Sequence, residues 1–143
     1  MNLTERRKHG FTLVELLVVI LILGMIAVLF APRWRRGLGK AKRGMARTKM
    51  AVIENAIERF YLDVGRYPYE SEGLEVLLME PADVEEGKWG GPYLKQSDLF
   101  DSWDNPYVYV EEGEVNPGSY DLISYGADGR EGGEDDDEDI YNE

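Results

Sequence analysis

Glu15 is a carboxylate set close to the start of an apolar stretch: from Phe11 to Ala31 the only strongly polar side chains are Thr12 and Glu15. A charged group in such a setting is costly in hydrocarbon and marks a functional position. A second concentration of reactive groups closes the chain, in Asp128-Gly129-Arg130-Glu131-Gly132-Gly133-Glu134-Asp135-Asp136-Asp137-Glu138-Asp139. Hard oxygen ligands alternate there with glycines, which permit the tight backbone that a calcium loop needs. The same run also reads as a solvated, disordered acidic face. The D-x-D-x-D-G spacing of an EF-hand is absent.

Other chemistries are excluded by composition. There is no cysteine, which removes disulfides, thiolate metal sites and cysteine nucleophiles. The single histidine, His9, lies in a basic leader, so neither a serine–histidine–carboxylate triad nor a histidine zinc site is available. Gly126-Ala127-Asp128-Gly129 lacks the strand–glycine–helix context and the lysine of a phosphate cradle. Carboxylate pairs abound in a chain with 28 acids, so their presence says nothing about hydrolysis. Trp89, Trp103 and the tyrosines from Tyr61 to Tyr125 are irregularly spaced and read as core and turn packing.

The elements that position these groups follow from periodicity. Twenty-one residues, Phe11 to Ala31, span about 31 Å as a helix, the thickness of a bilayer's hydrocarbon core. Helical spacing then continues: Trp34, Leu38, Ala41, Met45, Val52 and Ala56 share one face. Arg36, Lys40, Arg43 and Arg47 form a basic stripe opposite, with Arg35, Lys42 and Lys49 on a flank. The pattern predicts one helix from about Phe11 to Val64, stopped by Gly65 and weakened around Pro32, Gly37 and Gly39. A short second helix is expected over 72–79, ended by Pro81. Two antiparallel strands are expected at Tyr107–Val110 and Tyr120–Tyr125.

Charge is strongly asymmetric within a net of −12. Residues 1–49 carry eleven Lys/Arg and two Glu, whereas residues 50–143 carry five Lys/Arg and 26 Asp/Glu. The acidic C-terminal part has the wrong sign for nucleic acid, which is excluded as a partner. A cleaved signal peptide does not fit, because the apolar run ends Val28-Leu29-Phe30-Ala31-Pro32 without a small-residue cleavage site. A plain membrane anchor accounts for neither Glu15 nor Gly10 before Phe11.

Gly10-Phe11-Thr12-Leu13-Val14-Glu15 resembles the processing site of type IV pilins and type II secretion pseudopilins. That resemblance implies cleavage between Gly10 and Phe11 by a prepilin peptidase, with N-methylation of Phe11. It also gives Glu15 an assembly role, pairing with the new ammonium terminus of a neighbouring subunit. The likeness extends along the chain to the major pseudopilins. Gly65-Arg66-Tyr67-Pro68 with Glu72-Gly73-Leu74-Glu75-Val76-Leu77 is similar to their "YP…GLEAL" stretch. Asp101-Ser102-Trp103-Asp104-Asn105-Pro106-Tyr107 is similar to "DPWGNPY", and Tyr120 to Gly129 to "DLYSLGADG". Ser102 and Asp104 depart from the family's proline and glycine, and Asp139 to Glu143 replaces its terminal "DIGNW".

The resemblance implies one calcium in the loop over 125–140. By position its ligands would be the side chains of Asp128, Glu138 and Asp139 and the carbonyls of Tyr125 and Arg130; participation of Asp135, Asp136 and Asp137 stays open. The expected fold is α+β and pilin-like. It consists of a leader over 1–10, a transmembrane and filament-core helix over 11–31, and its amphipathic continuation over 32–64. A periplasmic domain with a small antiparallel sheet follows over 65–143. The implied function is a non-enzymatic subunit of the periplasmic pseudopilus of type II secretion, single-pass in the inner membrane before assembly. Its implied partners are further copies of itself, minor pseudopilins, the inner-membrane secretion platform, the prepilin peptidase and the membrane. A type IV pilin or DNA-uptake pseudopilin is the nearest alternative, and a membrane-anchored periplasmic enzyme or binding domain the more distant one. The basic stripe is expected to meet acidic surfaces of neighbouring subunits, although the positive-inside rule alone would favour the opposite topology.

Overall fold

The computed structural model describes residues 12–142, and the backbone alone for residues 29–37. Helix α1 runs Leu13–Val64. Thr12 starts it: its hydroxyl accepts from the Glu15 N–H at 3.2 Å and its carbonyl from the Leu16 N–H at 3.1 Å. A Thr-x-x-Glu sequence before an apolar run is a helix-start signal, and here it satisfies donors that the first turn leaves orphaned. The helical backbone continues without interruption past Pro32, Gly37 and Gly39. It stops at Gly65, whose N–H reaches the Tyr61 carbonyl at 2.8 Å.

The chain divides into two compact units, residues 1–37 and 38–143. In the first, the described side chains from Leu13 to Val28 are all exposed. Among the described residues no helix is long and apolar enough to cross a membrane; of the apolar stretch over 11–31 the side chains are described only from Thr12 to Val28. The expected span over 11–31 therefore lies partly outside what is described.

The second unit is built on the C-terminal part of α1. Ala46, Met50, Ile53, Ile57 and Phe60 recur at steps of four and three and are buried, with Ala56 beside them. They pack on Leu74, Val76, Leu77, Leu94, Leu99, Tyr107, Tyr109, Tyr120, Leu122 and Ile140. This corrects the expected face: Trp34 lies outside the described side chains, Leu38, Met45 and Val52 are 64%, 57% and 48% exposed, and among the described members of that set only Ala56 is buried in the core. The helix carries two apolar registers, and the sheet packs on the one holding Ile53, Ile57 and Phe60.

The sheet has three antiparallel strands, β1 (Val108–Val110), β2 (Asp121–Ser124) and β3 (Ile140–Tyr141), in that spatial order. Val108 faces Ile123 and Tyr109 faces Leu122; on the other side Ile123 faces Tyr141 and Ser124 faces Ile140. The segment expected as a second α-helix is a 3₁₀ turn, Gly73–Leu77. Gly73 sits at φ +61°, which an α-helix interior excludes, so the segment closes with a tighter bond from the Leu78 N–H to the Glu75 carbonyl. The Asp101–Asn105 turn holds both departures from the family pattern, Ser102 and Asp104. Asp104 takes a φ of +68°, a conformation that aspartate adopts more readily than most residues. Ser102 Oγ donates to the Lys42 carbonyl at 2.7 Å, tying the turn to α1. The carboxylate of Asp101, 1% exposed, accepts from the N–H groups of Trp103 and Asn105 and from Ser124 Oγ at 2.6 Å.

Candidate functional site

Gly10 and Phe11 lie outside the described residues. Glu15 is exposed on the first turn of α1, where the positive end of the helix dipole favours a carboxylate. Among the described residues no cation pairs with it.

The acidic stretch is folded as a defined loop. A 3₁₀ turn at Asp135–Asp137 leads into β3, so the loop is bound at its end by the sheet. Gly126 and Gly133 close it: a Cβ on Gly126 would meet the Asp137 carbonyl carbon and oxygen at 2.7 Å, and one on Gly133 would meet that oxygen at 2.6 Å. Only glycine lets the two backbone segments approach this closely. The Ala127 N–H donates to the Asp136 carbonyl at 2.9 Å and completes the closure.

The side chains divide by direction. Asp128 Oδ1 accepts from the Arg130 N–H at 3.1 Å, and Asp139 Oδ2 accepts from the Gly132 N–H at 2.9 Å. Asp139 Oδ1 is buried without any hydrogen-bond partner, alone in this among the described side chains. Burial, and after it the carboxylates of Glu131 and Asp139, push the Tyr125 hydroxyl above its ordinary range. Burial and then Asp139 do the same for Tyr141. Glu138 turns the other way, to α1: its Oε2 lies 2.9 Å from Arg43 Nη2. Among the described residues no three carboxylate or histidine side chains converge on a metal-sized space.

The expected basic stripe is split by the fold. Arg43 is engaged within the subunit, donating through Nη1 to the carbonyls of Asp135 at 2.6 Å and Glu138 at 3.3 Å. On the flank, Lys42 lies 6.0 Å from the centre of the Trp103 ring, and Lys49 donates to the carbonyls of Phe100 and Asp101. Among the described residues Lys40 and Arg47 form no ion pair. Sequence reasoning did not single out Arg43 as the loop's seat; its partners lie 92 and 95 positions away.

A model of the prokaryotic N-terminal methylation motif matches residues 6–31, which sets the class: a helix-led protein that carries this motif at its N-terminus. A second model, "Type II secretion system (T2SS), protein G", matches residues 34–143. The type II secretion system core protein G of Pseudomonas aeruginosa is 40% identical over 140 residues, covering 96% of each chain. That of Vibrio cholerae is 38% identical over 138 residues, covering 96% of this chain and 92% of the other. The crystal structure of the major pseudopilin of the type 2 secretion system of enterohaemorrhagic Escherichia coli superposes with a TM-score of 0.57 at 28% identity. That match covers 72% of this chain and 87% of the other. The chain belongs to the type II secretion system protein G family, the major pseudopilins.

Proposed function

We propose that the chain is made as a precursor, cut between Gly10 and Phe11 by a prepilin peptidase and N-methylated on Phe11. It is held in the inner membrane by its apolar helix with the C-terminal unit in the periplasm. It then polymerises with further copies, and with minor pseudopilins, on the inner-membrane platform into a pseudopilus that drives protein export across the outer membrane. It performs no catalysis of its own. The observation that carries this reading is the methylation motif at residues 6–31 joined to a protein G match over the rest of the chain. Glu15 supplies the assembly contact: inside a low-dielectric helix bundle, its carboxylate and a neighbour's ammonium terminus neutralise one another.

The acidic loop is a calcium site in this reading. Its donors are hard oxygens, and the orphaned, buried Asp139 Oδ1 is an acceptor that a cation would satisfy. Asp128 and Asp139 would contribute side chains, and Tyr125 and Arg130 carbonyls. Main-chain donors are needed, since among the described residues no three carboxylates converge. Bound calcium would neutralise a loop that otherwise repels itself and would hold it as a disulfide does in chains with cysteine.

Mass spectrometry of the chain expressed with a prepilin peptidase tests the first part. N-methylphenylalanine at Phe11 supports it; an uncut chain overturns it. For the second part, calcium is expected to raise the thermal midpoint of the purified chain, and Asp128→Ala with Asp139→Ala to lower it to the value in chelator. No calcium response in the parent chain refutes the site.

A further inference from the structure

The acids of the closing loop face two ways, and the backbone is the reason. Glu138 sits at φ −65° and ψ 134°, an extended conformation leading directly into β3. Consecutive side chains on extended backbone point to opposite sides. Glu138 and Ile140 therefore share a side: Ile140 enters the core formed with α1, and Glu138 reaches Arg43 on the same helix. Asp139 takes the other side, where its Oδ2 meets the Gly132 N–H and its Oδ1 is buried and unpaired.

The Arg43 side of the loop is a built seat. One guanidinium contacts the Asp135 carbonyl, the Glu138 carbonyl and the Glu138 carboxylate. Arg43 is only 21% exposed, so its stem is packed while its fork is spent on the loop. One turn earlier on the same helix face, Gly39 leaves a notch: the Asp136 carboxylate lies where a Cβ on residue 39 would be. Charge attraction and a shape fit thus hold the same turn against α1.

We infer that Glu138 is the loop's anchor to α1 through Arg43 and is not a metal ligand, which leaves the metal-facing role to Asp139 with Asp128. The calcium part of this inference rests on the reading above; the anchoring part does not. Glu138 stands where the family resemblance placed a ligand, so the chain has turned that position to a different use. The anchored loop carries its position on the helix into whatever its other face binds.

The test uses the full chain in detergent, as the parent and as Arg43→Gln, Glu138→Gln and Asp139→Asn, with two readouts. Amide hydrogen exchange over 130–142 is measured in chelator, and calcium affinity is read from the calcium-dependent shift in thermal midpoint. Arg43→Gln and Glu138→Gln are each expected to speed exchange in the loop several-fold. Arg43→Gln removes all three contacts of the guanidinium and Glu138→Gln only the ion pair, so Arg43→Gln should be the faster, and a variant carrying both changes no faster than Arg43→Gln alone. Glu138→Gln is expected to keep calcium affinity within about fivefold of the parent, whereas Asp139→Asn abolishes the shift. Loss of the calcium shift in Glu138→Gln to the extent seen in Asp139→Asn overturns the division. Unchanged exchange in Glu138→Gln overturns Glu138 as the anchor, whatever Arg43→Gln does. A parent without a calcium response refutes the calcium reading, while the exchange data still decide the anchor.

Discussion

Asn116 Nδ2 donates to Asp121 Oδ1 at 3.0 Å, and the Asn116 main-chain N–H donates to the same oxygen at 2.9 Å. The other oxygen accepts from the N–H groups of Glu114 at 2.7 Å and Val115 at 2.9 Å. One carboxylate, 2% exposed, thus organises the connection between β1 and β2. Asp121→Ala would leave four part-buried donors without their acceptor and is expected to cost about 3 kcal/mol. Urea unfolding of the parent and the variant checks this.

The same group predicts an acid dependence. Burial works to raise the Asp121 pKa, but the N–H groups of Val115, Asn116 and Glu114 and the Asn116 side chain outweigh it and hold the value below the ordinary one. A depressed folded pKa gives stability that is fully present above the ordinary aspartate value, about pH 4, and is lost as pH falls through the folded value. The stability gap between the parent and Asp121→Asn should therefore be constant near neutrality and narrow below about pH 4. Thermal midpoints against pH measure it; a gap that widens in acid would contradict the assignment.

At the alkaline end the sign reverses. Burial pushes the hydroxyls of Tyr107, Tyr109 and Tyr120 well above their ordinary range. Tyr107 donates to the Ala46 carbonyl at 2.6 Å and Tyr109 to the Pro68 carbonyl at 2.9 Å, so both are needed as neutral donors. The unfolded chain releases these protons near pH 10 and the folded chain later, so stability is complete below about pH 10 and falls above it. Phenolate absorbance from these three rings is expected to appear only with unfolding. Tyr107→Phe should shift the onset upward while lowering neutral stability by about 1 kcal/mol, the worth of one hydrogen bond.

The face on which α1 packs separates neighbouring residues. Ile53 is fully buried and Val52 is 48% exposed. Ile53→Ala is expected to cost about 3 kcal/mol and Phe60→Ala about 4, from lost transfer energy plus a cavity. Val52→Ala should stay within about 0.5 kcal/mol. Denaturant midpoints of the three variants in detergent decide the register; a Val52 cost equal to that of Ile53 would restore the face that periodicity alone suggested.

Much of this fold was legible in the sequence because its signals are local. Gly65 after the last helical turn and the alternation at Tyr107–Val110 and Tyr120–Tyr125 each act within a few residues. The packing register was not legible. Leu38, Met45 and Val52 are spaced as regularly as Met50, Ile53, Ile57 and Phe60, and only the sheet decides between them. β3 has two residues, too few for alternation to show. The Arg43–Glu138 pair joins positions 95 apart, and nothing near either residue announces the other. Gly39 read as a weak point in a helix, whereas its missing Cβ makes room for Asp136. Glycine serves as a helix breaker and as a contact notch, and local sequence does not separate the two.

Glu15 is the residue whose role depends most on assembly. It stands exposed at the positive end of α1, with no cation beside it among the described residues. In a single subunit, replacing it therefore removes only a modest dipole interaction, worth well under 1 kcal/mol when exposed. In the proposed filament its carboxylate would be buried among apolar helices, and removing one partner of such a pair would cost about 3–5 kcal/mol because the other charge is stranded. Glu15→Gln should accordingly leave cleavage between Gly10 and Phe11 and N-methylation intact by mass spectrometry. It should leave the thermal midpoint of the purified chain unchanged, yet reduce sedimentable filament at least about tenfold, since each 1.4 kcal/mol is a factor of ten in association. Glu15→Asp keeps the charge on a shorter stem and should recover part of the assembly. Normal filament from Glu15→Gln would remove the proposed pair; failed cleavage in that variant would instead place Glu15 in recognition by the peptidase.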